Sequence, residues 1–145
     1  MATAAPFNLD RFVAAQAAVY ARVLAELTTG HKTSHWMWFI FPQLKGLGTS
    51  EMASFYGLDG LAETRAYLDH PLLGARVREC TAIVAALDGA TAVSIFGVPD
   101  ALKFRSCMTL FERAAGTSSE FSRALERYFE GQRDERTVAL LERDG

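Results

Sequence analysis

Apolar side chains recur along this chain with the spacing of helices that bury one face. Leu9, Phe12, Val13, Tyr20, Val23, Leu24 and Leu27 predict a first helix, with Asn8 as its N-cap and Gly30 as its C-terminal stop. Gln16 interrupts that stripe with an amide on the side expected to be buried. Thr49 or Ser50 caps a short helix through Tyr56, and Asp59 caps another that carries Leu61, Tyr67 and Leu68. His70-Pro71 marks the next boundary, with proline at the first helical position, where its missing N–H costs nothing. Leu73, Val77, Cys80, Val84 and Leu87 follow at helical spacing up to Gly89. Ala90 to Gly97 has the look of an apolar connector.

Pro99-Asp100 opens a helix with Phe104, Met108 and Phe111 facing inward, ended by Gly116. Thr117 and Glu120 have capping-box spacing ahead of Phe121, Leu125, Tyr128 and Phe129. Gly131 stops that helix, and Asp134 caps a last one with Val138 and Leu141. No alternating strand pattern and no hairpin dipeptide occurs. The expected fold is all-α, a single compact domain of about six helices with no significant sheet. It should span residues 8–142. Residues 1–7 are expected to form a disordered lead-in, since they lack the basic start and long apolar core of a signal peptide.

The segment His35-Trp36-Met37-Trp38-Phe39-Ile40-Phe41-Pro42-Gln43 stands apart, holding both tryptophans of the chain. A helix here must end near Phe41, because proline disfavours α geometry in the residue before it. Periodicity alone leaves a short helix and a buried strand both open. Each large ring removes roughly 150–250 Å² from water when buried. The run should therefore form a buried platform, with Lys32, His35 and Gln43 at its rim, where ligand sites tend to form.

Composition narrows the function. The chain has 145 residues, half of them hydrophobic and 22% charged, which suits one domain with a real core. A net charge of -2, with Lys and Arg dispersed, argues against double-stranded nucleic acid and against a polybasic membrane anchor. No apolar run approaches the roughly 20 residues of a membrane span. Cys80 and Cys107 are isolated, as expected of reduced, buried thiols in a cytoplasmic protein.

Between Glu26 and Glu51 there is no carboxylate, yet His31, Lys32, His35 and Lys45 lie there with Gly30, Gly46 and Gly48. That favours an anion, although a solvated loop over an aromatic core would look the same. His31 and His35 are four apart, but no third ligand is evident, so neither a metal nor a cofactor is expected. Asp100, Lys103 and Ser106 fall at three-residue steps along one helix face, so Asp100 can orient Lys103 and Ser106 can offer a hydroxyl. The plainer account is an aspartate favoured by the helix dipole and a solvated lysine. Gln16 must have a partner, because an unpaired buried amide costs about 1–3 kcal/mol.

Several segments together resemble a known family. They are Arg11-Phe12-Val13 with Ala15-Gln16, Lys32 through Ser50 around the aromatic run, Ala66-Tyr67-Leu68 with His70-Pro71, Ile95-Phe96-Gly97 with Asp100 and Lys103, and Met108-Thr109-Leu110-Phe111. In order and over nearly the whole chain, they resemble a bacterial domain-of-unknown-function family, number 1810, often mislabelled "calpastatin". The resemblance implies a compact all-α array, and hence a helix at Trp36–Phe41. It implies no activity. Its polar motif positions fall on Gln16, Lys32, His35, Gln43, His70, Asp100 and Lys103, which suits a shared site. Val77 replaces a usual leucine and Cys107 a usual serine. Calpastatin-type inhibitory segments are disordered until bound, whereas this chain is too apolar and too well capped for that.

The function expected is binding, with potential processing, of a small anionic metabolite such as a nucleotide or nucleotide-sugar. Lys32 and Lys103 would neutralise the anion, and Trp36 or Trp38 would stack on a ring. Gln16, Gln43, His70 and Ser106 would fix orientation, and His35 or Asp100 would serve as acid or base. The alternative is a non-catalytic helical module that seats a partner helix or peptide beside the aromatic run.

Overall fold

The computed structural model describes residues 7–144. Among the described residues ten helices, not six, account for the apolar stripes. The expected first helix is two: α1 (Asp10–Ala17) and α2 (Tyr20–Thr29). No proline or glycine separates them. The chain turns at Ala18 and Val19 because α1 packs on α3 whereas α2 packs on α6, so tertiary contacts override a continuous stripe. No side chain caps α1, although Asn8 was the expected cap; Leu9 holds that position. Gly30 closes α2 in the left-handed conformation, at φ 81°.

The aromatic run forms one short helix, α3 (Met37–Ile40), which ends just before Phe41-Pro42. Ser50 caps α4 (Glu51–Tyr56) by accepting from the Ala53 amide. Gly60 rather than Asp59 precedes α5 (Leu61–Asp69), and the Glu63 carboxylate reaches back to the Asp59 amide at 2.7 Å. The expected proline start of α6 (Leu73–Ala86) shifts two residues onward. His70 instead turns the chain, its Nδ1 accepting from the Leu72 and Leu73 amides at 3.2 Å each. Gly74 is required there, since a Cβ would collide with the Leu68 carbonyl.

The connector expected at 90–97 contains another helix, α7 (Ala92–Phe96), with a Thr91–Ser94 capping box. Its short length hid it. α8 (Val98–Ala115), α9 (Glu120–Phe129) and α10 (Glu135–Asp144) complete the chain. Ser119, not Thr117, caps α9.

α8 is the central element, packed against α5, α7, α9 and α10. Phe104, Cys107, Met108, Leu110 and Phe111 are wholly buried on it. Phe41, Phe96 and Phe104 pack as a trio, with centroids 4.8–5.9 Å apart. Phe7, assigned to the lead-in by sequence, packs against the core, while residues 1–6 lie outside the described residues. Among the described residues there is no strand, only an isolated bridge between Leu44 and Leu58. Nor is any helix among them long and apolar enough to cross a membrane. Both cysteines are free and buried; burial pushes the Cys80 thiol up to about 12 and raises that of Cys107 as well.

Candidate functional site

The aromatic segment has no acid of its own, and the fold brings two to it. Glu26, on the last turn of α2, accepts at Oε1 from the Thr33 amide (2.8 Å), the Ser34 amide (3.1 Å) and the Trp36 indole (2.9 Å). Its Oε2 accepts from the Ser34 hydroxyl at 2.6 Å. Burial pushes this carboxyl up, but the four hydrogen bonds outweigh burial and hold it at about 2. One buried anion thus orders the whole loop from α2 to α3.

Asp100, in the first turn of α8, is the second acid. Its two oxygens meet Lys32 Nζ at 2.7 Å and Lys103 Nζ at 3.2 Å. The two ammonium groups also sit over indole rings: Lys32 is 5.1 Å from the Trp36 centroid and Lys103 is 4.2 Å from that of Trp38. Two lysines share one carboxylate, so the cluster keeps a net positive charge, and Lys103 is its more exposed end.

Beside Lys103 opens a cleft of about 310 Å³. α8 supplies Leu102, Lys103 and Ser106; the start of α10 supplies Asp134 and Arg136; the opposite wall is Trp38 with the loop from Gln43 to Gly57. That loop returns on itself, since the Lys45 amide donates to the Leu58 carbonyl (2.8 Å) and the Leu58 amide to the Gln43 carbonyl (2.9 Å). Its ends cross so closely that a Cβ on Gly57 would lie 2.7 Å from the Ala53 carbonyl and 2.8 Å from Lys45 Cα. Arg11 fastens it from behind, donating to the Phe55 carbonyl (2.7 Å), the Gly57 carbonyl (3.1 Å) and Glu63 (3.0 Å). Arg136 spans the mouth, donating to the Leu47 carbonyl at 2.9 Å.

The cleft retains unspent hydrogen-bonding capacity. Among the described residues, none makes a hydrogen bond to the half-buried Gln43 amide or Tyr56 hydroxyl, both at the lining. Asp134 is used on one side only. Its Oδ2 accepts from Ser106 Oγ (3.1 Å), the Thr137 amide (3.1 Å) and Thr137 Oγ1 (2.5 Å), whereas nothing donates to Oδ1. No buried side-chain polar atom among the described residues lacks a partner, so these free groups on half-buried residues are open to solvent at the cleft.

Of the residues the sequence singled out, the fold brings Trp38, Gln43, Lys103 and Ser106 to this cleft, with Asp100 and Lys32 directly behind Lys103. The others lie elsewhere. Trp36 is only 1% exposed and its N–H is taken by Glu26. Gln16 lies at a junction of α1, α3, α5 and α6, donating to the Phe39 carbonyl (2.8 Å) and Tyr67 (3.1 Å) and accepting from Arg76 (3.2 Å). His70 turns the chain into α6 as described. His35 is exposed and makes no hydrogen bond to the described residues. His31 and His35 sit on a non-helical loop, so the shared helix face does not form; no described group of three His, Cys, Asp or Glu could hold a metal.

Sequence reasoning missed Arg136, Tyr56 and Glu26, and saw Asp134 only as a cap. Arg136 carries no signal beyond one exposed charge in a charged helix. Glu26 did carry one: an acid bounding an acid-free, donor-rich loop.

Fold and cleft together define a small all-α protein with a basic, apolar-walled cleft against its central helix. The chain belongs to the family described as "Protein of unknown function (DUF1810)", whose profile matches residues 6–141. It is similar to the crystal structure of the conserved hypothetical protein Rv1873 from Mycobacterium tuberculosis, with 52% identity and a TM-score of 0.93. The match covers 95% of this chain and 99% of that one. No curated protein matches the chain.

Proposed function

We propose that the cleft binds a small anionic metabolite of the nucleotide or nucleotide-sugar type. One observation carries this: an apolar-walled cleft with cations on two walls, Lys103 on α8 and Arg136 on α10, and unspent polar groups between them. A volume of about 310 Å³ is at the lower end of the roughly 300–1,000 Å³ typical of ligand sites. It suits one ring and one phosphate-bearing sugar, with anything larger extending through the mouth. Lys103 already covers one face of Trp38, so a ring would rest against the free part of the indole and Tyr56. Gln43 would read its edge. Lys32 and Asp100 act through Lys103, holding its ammonium in place. His35 and Asp100 are left out as acid–base groups, because His35 is not at the lining and Asp100 is held by two lysines.

Titration calorimetry with ribonucleoside monophosphates, diphosphates and nucleoside diphosphate sugars tests the proposal. Sub-millimolar binding is expected for at least one, weakened about tenfold or more by Lys103→Met, equivalent to about 1.4 kcal/mol. Absence of binding across the panel would overturn it.

A second function is favoured by a different surface. Val93 and Val98 at the α7–α8 corner are 53% and 61% exposed. Such a patch suits a docked partner helix. Val93→Asp with Val98→Asp would abolish capture of a protein partner while leaving nucleotide binding intact.

A further inference from the structure

A carboxylate in the lining of an anion site is physically odd. Asp134 repels any phosphate seated at Lys103, and nearby like charges weaken binding at such close quarters. Capping α10 does not require the charge, because asparagine and serine cap helices as well as aspartate does. The bonds Asp134 makes within the protein also need only one of its oxygens: Ser106, the Thr137 amide and the Thr137 hydroxyl all converge on Oδ2. Oδ1 is left without a donor in a residue that lines the cleft. A charged acceptor with an unused oxygen beside a cationic seat is suited to a ligand that is anionic at one end and rich in hydroxyl donors at the other.

The spacing agrees. Lys103 and Ser106 are three residues apart on α8, hence neighbours on one face. Asp134 contacts Ser106 at 3.1 Å, so it meets the α8 wall of the cleft about one helical turn beyond the Lys103 backbone position. A ligand anionic at one end and bearing hydroxyls at the other would lie along that wall, its anion at Lys103 and its hydroxyls at Asp134. Resting on the binding proposed above, we infer that Asp134 is the specificity-determining residue of the cleft, accepting from the vicinal hydroxyls of a ribose phosphate while Lys103 and Arg136 hold its phosphate. The class selected is the ribonucleotide, in preference to deoxynucleotides, aromatic carboxylates and free phosphate.

This assignment makes Asp134→Asn act in opposite directions on two probes. The substitution keeps the cap and the bond from Ser106, so the melting temperature should hold. Affinity for inorganic phosphate should rise, because a repelling charge is gone. Affinity for ribonucleoside monophosphates should fall about tenfold, the effect of losing hydrogen bonds to a charged acceptor. On the unaltered protein, 2′,3′-dideoxynucleoside monophosphates should bind about tenfold more weakly than their ribose counterparts, by the same reasoning and without touching the fold. Ribo- and dideoxynucleotides binding equally, or Asp134→Asn tightening both probes, would overturn the role of Asp134 and leave the binding cleft standing. No nucleotide binding at all would remove the cleft's function, and the inference with it.

Discussion

Glu26, buried, and Asp134, half-buried, are both carboxylates at the edge of a loop, each accepting from backbone and hydroxyl donors, and they differ in what they leave over. Glu26 spends both oxygens on four donors from one loop and leaves nothing for a ligand. Asp134 spends one oxygen and keeps the other at a cleft whose neighbours Gln43 and Tyr56 are also unpaired. Gln16 repeats the first pattern with its amide donating twice and accepting once. A polar side chain near an aromatic platform is therefore not by itself a sign of function. Hydrogen-bonding capacity left unused at a concave surface is what the proposed binding rests on.

The contrast can be broken most severely at its closed end. Glu26→Ala strands the Trp36 indole and the Thr33 and Ser34 amides; about 3 kcal/mol of stability should be lost in urea unfolding. A loss below about 1 kcal/mol would mean the loop holds itself. Gln16→Ala should cost about 2 kcal/mol by the same measure and leave nucleotide affinity unchanged. If affinity moved with it, the junction of α1, α3, α5 and α6 would belong to the site after all.

Acid probes the closed end in a graded way. Folding lowers the Glu26 carboxyl from its ordinary value of 4.5 to about 2. Its contribution is complete above the ordinary value and is lost as pH falls through that window. Melting curves between about pH 5 and pH 2 should fall more steeply for the unaltered protein than for Glu26→Gln. Parallel curves would assign acid sensitivity to other carboxylates, such as Glu112, which the Arg133 guanidinium holds below its ordinary value.

The open end should show the reverse signature, with small effects on stability and visible ones on binding. Lys103→Met is expected to leave the melting temperature within a few degrees while weakening nucleotide binding about tenfold. Tyr56→Phe should give the smallest effect, about threefold in affinity, since it removes one neutral hydrogen bond. A Tyr56→Phe variant that loses stability instead would show its hydroxyl to be structural.

The helical fold class was legible in the periodic stripes, because burial of one face leaves its mark at every third or fourth residue. The glycine stop at Gly30, the caps at Ser50 and Asp134 and the turn at His70-Pro71 were legible for the same local reason. The break at Ala18–Val19 and the short helix α7 were not, since each depends on which neighbour a face meets rather than on the face itself.

The sequence alone determined that this chain buries an aromatic platform in an all-α domain, and that Trp38, Gln43, Lys103 and Ser106 were worth following. Only the tertiary structure decided that Trp36 and Gln16 spend their polar groups inside the protein while Asp134 and Arg136 face the cleft. The physical reason is range. Helical periodicity and capping act within a few residues, whereas pairing a carboxylate with donors 28 residues away, as Asp134 does with Ser106, depends on how whole helices cross.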